Sequence, residues 1–159
     1  MKKLSLIVII LATGFLRNAY SQDGANQTQF TQLLSLYYNI KEALVASNGN
    51  MAATRAEAFV KATNVFDFKV ISEGNIKTLG KHARRISETK DLKKQRESFA
   101  NLSVTMIEVA KTVKPIDKPI YQAYCPMKKT SWLSNEKAIK NPYYGSAMLT
   151  CGEVTKTIQ

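Results

Sequence analysis

The chain has two cysteines, Cys125 and Cys151, and each has a methionine close by: Met127 two residues after the first, Met148 three residues before the second. Side chains alternate along an extended segment, so Cys125-x-Met127 sets a thiol and a thioether on one side of the chain. Met148-x-x-Cys151 sets a second such pair on one side of a turn or helix start. Brought together, two thiolates and two thioethers make a soft donor set. Such a set prefers Cu(I) or Ag(I) to Zn, which wants imidazole or more thiolates. The interval between the two pairs follows no standard zinc spacing. The same residues admit another chemistry, a Cys125–Cys151 disulfide with Met127 and Met148 as gap-filling core residues. Closing a loop of about 25 residues would add about 3 kcal/mol on the chain-entropy estimate. Both readings stand on the residues.

Other chemistry finds few parts. His82 is the single histidine and lies beside Lys81, Arg84 and Arg85, where a cationic neighbourhood repels a metal ion, so we expect it to be exposed and not a ligand. One histidine leaves the cysteines no dependable base, and there is no Gly-rich phosphate loop, paired-carboxylate motif or zinc-hydrolase helix. No catalytic residue is assigned and no enzyme is expected. Arg96 and Ser103 border an apolar stripe. There they either snorkel and back-bond to their own helix, or Arg96 ties a C-terminal cap down through its backbone carbonyls.

The elements that must position these residues follow from hydrophobic spacing. Lys2 and Lys3, the apolar run Leu4 to Leu16 and Ala19-Tyr20-Ser21 read as a signal peptide over 1–21. The apolar run is too short to span a bilayer, which implies an exported protein that is not membrane-spanning. The formal net charge is +11, and the leader carries Lys2, Lys3 and Arg17 with no acid, so +11 less 3 leaves +8. That charge suits an anionic surface or an acidic partner. Nucleic acid is discounted, because export removes it and no stacking aromatics accompany the basic residues. An anion binder using Arg84, Arg85, Lys93 and Lys94 is a further possibility, one that salt would weaken.

Apolar residues at three- and four-residue spacing predict a helix over 27–47 (Phe30, Leu33, Leu34, Tyr37, Ile40, Leu44), ended by Asn48-Gly49-Asn50 as C-cap and turn. A second helix runs over 51–65, with Ala52, Ala56, Phe59, Thr63 and Phe66 inward. After an irregular joint at 67–75, a third covers 76–87 on Ile76, Leu79, Ala83 and Ile86. The fourth covers 92–113, capped by Thr89-Lys90-Asp91 and stopped at Pro115. Beyond it Pro119 to Tyr124 alternates as a short strand, Ser134 to Ile139 offers one helical turn, and Tyr143-Tyr144-Gly145 reads as a turn. The expected fold is all-α: an up-and-down four-helix bundle over 22–114. An irregular strand-and-turn cap over 115–159 packs on it within one domain, 22–159.

The run Tyr124-Cys125-Pro126-Met127, Trp132-Leu133-Ser134, Asn141-Pro142-Tyr143-Tyr144-Gly145 and Met148-Leu149-Thr150-Cys151-Gly152 resembles the signature of an exported family known as domain of unknown function 3347. Ala43-Leu44-Val45 and Arg96-x-x-Phe99-x-x-Leu102-Ser103 are similar to it as well. That domain occurs alone and fused to periplasmic adaptor subunits of CusB-type heavy-metal efflux pumps. The resemblance implies a periplasmic accessory protein handling copper or silver. Its ligands would be Cys125, Met127, Met148 and Cys151, and its partner an efflux adaptor or another envelope protein. Tyr124-Cys125-Pro126-Met127 also resembles the Tyr-x-Cys-Pro-Met-His box of small heavy-metal-binding modules. Here, however, Lys128 stands where that box has histidine, which removes a ligand and adds a positive charge. The competing expectation is a structural or interaction module pinned by a Cys125–Cys151 disulfide.

Overall fold

A computed structural model of the chain describes residues 21–66, 71–113 and 118–159, with side chains from residue 28. The expected leader up to residue 20, the first part of the joint at 67–70 and the Pro115 helix stop lie outside the described residues. Four helices come first: α1 (Ser21–Val45), α2 (Gly49–Asn64), α3 (Glu73–Ser87) and α4 (Leu92–Val113). Consecutive helices pack on one another, and α4 also meets α1 and α2. Their predicted inner faces are the observed ones. Phe30, Leu33, Tyr37, Ile40, Leu44, Ala52, Ala56, Phe59, Leu79, Ala83, Ile86, Phe99, Leu102 and Met106 are all nearly or wholly buried. Among the described residues no helix is long and apolar enough to cross a membrane.

The helix ends differ from expectation for local reasons. Ser47, with φ +52°, takes the left-handed position after α1. Its amide donates to the Leu44 carbonyl, and the Asn48 amide donates to that of Ala43, which closes a Schellman motif. Asn48 therefore does not end α1 but starts α2, its side chain accepting from the Met51 amide at 2.9 Å. Likewise Ser72, read as part of a break, is the N-cap of α3 through the Asn75 amide, so that helix begins at Glu73. Asp91 caps α4 by accepting from the amides of Lys93 and Lys94.

Beyond residue 118 the chain departs further from the expected irregular cap. β1 (Ile120–Cys125) is the central strand of a three-stranded antiparallel sheet, flanked by β2 (Thr130–Ser134) and β3 (Glu153–Ile158). The sheet lies on the helices through β2 against α4. A bulge between Gln122 and Ala123 shifts the β1–β3 register. Residues 135–138 bend instead of making the expected helical turn. The Ser134 hydroxyl accepts from the Glu136 amide and from Lys41 Nζ, a local bond that competes with a helix start. A short 3-10 helix, Gly145–Met148, precedes β3.

Candidate functional site: a dithiol at the sheet edge

Cys125 closes β1 and is fully buried, while Cys151 precedes β3 and is partly exposed. Their sulfurs stand 3.7 Å apart as free thiols, across 26 residues of chain. The β1–β2 turn shapes one half of the site. Lys129, at φ +55°, donates its amide to the Cys125 carbonyl, and the Lys128 amide points at Cys125 Sγ from 3.4 Å.

Asn141 builds the other half. Fully buried, it donates from Nδ2 to the Cys151 carbonyl at 2.6 Å and accepts the Tyr143 amide on Oδ1 at 2.8 Å. Its own amide donates to the Leu149 carbonyl, and its carbonyl accepts from Gly145. One side chain and one peptide unit thus fix a ten-residue loop. Next to Cys151 the chain crosses Trp132 so closely that a Cβ on Gly152 would meet the indole and the Tyr124 carbonyl at 2.8 Å. Burial pushes the Cys151 thiol above its ordinary value, helped by the neighbouring Cys125 sulfur and opposed by the Met127 amide. At neutral pH Cys151 is therefore a protonated thiol, and a cation that claimed the pair would have to displace its proton.

The expected thioether residues are placed differently from each other. Met127 sits at the tip of the β1–β2 turn with 64% of its surface exposed, and Met148 is partly exposed at the end of the 3-10 helix. The Cys151 amide donates to the Met148 carbonyl, so Met148 lies one tight turn before the thiol. Among the described residues no group of three or more His, Cys, Asp or Glu side chains is arranged for a metal. The donor set can nevertheless be tested for fit. Two sulfurs 3.7 Å apart, each about 2.3 Å from a shared ion, would subtend about 107°. That angle suits a three- or four-coordinate ion, so the dithiol needs further ligands; nearby in sequence are the thioethers of Met127 and Met148 and the exposed carboxylate of Glu153, which no metal-ligating group includes among the described residues. Soft ions accept thioether; hard ions do not. The residues present fit a soft ion.

The cap is held to the helices by residues of two kinds. Arg96 does what its place beside the stripe suggested: Nε donates to the Pro142 carbonyl at 3.0 Å, and Nη2 donates to the Leu44 carbonyl and to Ser47 Oγ. Ser103 does not back-bond to its helix; its hydroxyl pairs at 2.7 Å with that of Tyr37, which also accepts from the Leu133 amide. Sequence reasoning missed Asn141 and Lys41. Lys41 is wholly buried on α1, bonded to Ser134 Oγ, paired at 2.8 Å with Glu42 and lying over the Tyr38 ring. The available signal was its position four residues after Tyr37 and three before Leu44, inside the apolar stripe. His82 is half-buried instead of exposed. Its imidazole pKa is lowered, by burial first and then by Arg85 and Lys81.

No curated protein and no solved structure matches the chain. A family model described as a protein of unknown function (DUF3347) matches residues 33–118. The matched stretch holds most of the four helices, including Arg96 and Ser103, and ends before β1, so the dithiol and its sheet lie C-terminal to it. Because the match covers more than half of the chain, the chain belongs to this family of proteins of unknown function.

Proposed function

We propose that the protein is a soft-metal accessory protein of the cell envelope, holding Cu(I) or Ag(I) through the thiolates of Cys125 and Cys151 with thioether sulfur from Met127 and Met148. The observation that carries this reading is the 3.7 Å approach of the two thiols at a partly exposed edge, with backbone amides aimed at sulfur. Binding releases the thiol protons to solvent, and the exposed Met127 side chain is free to rotate toward the ion. The helices, read as an up-and-down bundle, serve as the platform that holds the two halves of the site in register. Export to the periplasm and delivery to an efflux adaptor or another envelope protein rest on the leader-like N-terminus and on the family resemblance.

Competition of the reduced protein with a chromophoric Cu(I) chelator tests this reading. We expect one Cu(I) per chain, at least a hundred-fold weaker in Cys125→Ser and in Cys151→Ser, and about ten-fold weaker in Met127→Leu with Met148→Leu. Zn(II) should bind far more weakly, since no imidazole or carboxylate joins the pair. A reduced protein that leaves the chelator fully loaded ends the proposal.

A second reading has its own support in the same distance: two thiols at 3.7 Å are placed for oxidation to a Cys125–Cys151 disulfide. The protein would then be a structural or interaction module whose cap recognises an envelope protein. Thiol titration of protein taken straight from the periplasm separates the two, with zero thiols for the pinned module and two for the metal site.

A further inference from the structure

Away from the dithiol, a cleft of about 570 Å³ opens between the end of α2 and the outer face of α3. Its cations are Lys77, Lys81, Arg84 and Arg85, at helical spacing on one face of α3. Lys77 is paired with Glu73 at 2.7 Å, and Glu88 sits at the rim. Four cations less two carboxylates leave +2, and among the described residues no carboxylate lies within ion-pair distance of Lys81, Arg84 or Arg85. The cleft owes its depth to Gly80, which sends no side chain into it, and its wall is mostly apolar, with the nearly buried Ile76 behind it. A Cβ at Gly80 would stand 3.0 Å from Thr63 Oγ1, so the helices meet closely behind it.

We infer that this cleft is a binding site for a phosphate monoester with an apolar body, its phosphate on Arg84, Arg85 and Lys81 and its body against Gly80 and the apolar wall beside it. Charge selects the class: a monoester carries close to −2 at pH 7 and matches the surplus of +2, whereas a single carboxylate leaves half of it uncompensated. Guanidinium pairs bind phosphate oxygens bidentately, which a lone lysine cannot do. Size selects the rest. Inorganic phosphate fills a small part of 570 Å³ and leaves the mostly apolar wall of the cleft wet, while an aromatic or short aliphatic body covers it. The C-terminal carbonyls of α2 at Thr63 and Asn64 repel an anion, which orients the phosphate toward the Arg84 and Arg85 end. Lys93 and Lys94, considered with these arginines on sequence grounds, do not line the cleft.

The test is titration of the full chain with phenyl phosphate at constant ionic strength, followed by calorimetry and backbone amide shifts, beside inorganic phosphate and benzyl alcohol. We expect saturable phenyl phosphate binding that shifts the amides around Gly80 and Arg84, at least ten-fold tighter than either comparison ligand. The double variant Arg84→Gln, Arg85→Gln should weaken it ten-fold or more with an unchanged melting temperature, since both side chains are exposed. Gly80→Leu, which fills the cleft, should abolish it. No saturation, equal affinity for inorganic phosphate, or affinity untouched by the arginine variant would overturn the assignment. Phosphatidic acid vesicles separate a lipid-borne from a soluble monoester. Capture reversed by phenyl phosphate extends the site to a lipid headgroup, and capture that phenyl phosphate leaves unchanged counts against the cleft.

Discussion

Gly145 shows how much of the cap depends on a single missing carbon. Its φ is +57°, in the left-handed region, and a Cβ there would lie 2.5 Å from Ser47 Oγ, 2.8 Å from Arg96 Nη2 and 2.9 Å from the Val45 carbonyl. The left-handed backbone alone costs about 1 kcal/mol in alanine, and the collisions fall on a backbone oxygen and a guanidinium already engaged elsewhere. We therefore expect Gly145→Ala to destabilise the fold by about 2–4 kcal/mol, read from urea unfolding midpoints. The same variant should speed alkylation of Cys151, because the loop from Asn141 to Cys151 is seated on this contact. A variant of wild-type stability would mean that the loop can lift away from the α1–α2 corner at no cost. The sequence shows that Tyr144-Gly145 turns; it does not show that the turn is wedged under Arg96, because that neighbour is contributed from 49 residues upstream.

At the scale of elements, two helix corners are bracketed by side chains of α4. Buried Gln95 donates from Nε2 to the carbonyls of Gly49, Ile86 and Thr89, joining the start of α2 to the α3–α4 corner. The next residue, Arg96, joins the end of α1 to the 141–145 loop. Charged donors contribute about 1.5–3 kcal/mol for each partly buried acceptor and little for the exposed Ser47 hydroxyl, so Arg96→Ala should cost about 3–6 kcal/mol through the Pro142 and Leu44 carbonyls. Arg96→Lys should recover less than half, since one ammonium cannot span Pro142 and Leu44 together. Hydrogen exchange gives the element-level readout: amides of Tyr143 and Gly145 should exchange much faster in the variant, while Leu79 in α3 is unchanged.

The helices and their inner faces were legible because their information is local, a 3.6-residue stripe, and so was the anchoring role of Arg96 beside one. β3 was not. Glu153-Val154-Thr155-Lys156-Thr157-Ile158 has two apolar residues four apart, and the bulge opposite Gln122 breaks even that alternation. Its strand character comes from pairing with β1, some thirty residues away. That Cys125 and Cys151 meet was expected from their types and neighbours, but what holds them together, the Asn141 bonds and the close pass of Gly152 over Trp132, was not legible for the same non-local reason.

Across the whole molecule, helices and sheet are joined by a continuous line of aromatic rings. Tyr37 of α1 stacks on Phe99 of α4 at 5.0 Å; Phe99 meets Tyr143 at 6.0 Å, and Tyr143 meets Trp132 of β2 edge-on at 5.9 Å. The two tyrosines carry their hydroxyls into this interior, Tyr37 bonded to Ser103 and Leu133, Tyr143 donating to the Ser131 carbonyl at 2.7 Å. Burial raises the pKa of both above the ordinary value of 10.0. The sign of the linkage follows. The unfolded chain loses these protons near pH 10 while the folded chain keeps them, so their contribution is fully present below that pH and is lost as pH rises beyond it. With Tyr38, whose pKa burial also raises, three such groups give a slope of at most about 4.1 kcal/mol per pH unit above the unfolded value. Urea midpoints measured from pH 9 to 11.5 should therefore fall steeply past pH 10, and Tyr37→Phe should remove roughly a third of the slope whatever it does to stability at pH 7. Because this line of rings is the seam between the helices and the sheet, thiol accessibility at buried Cys125 should rise over the same pH interval as the midpoint falls. A midpoint that is flat through pH 11 would mean that the seam admits water, and the sheet would then be a separately opening lid instead of part of one core.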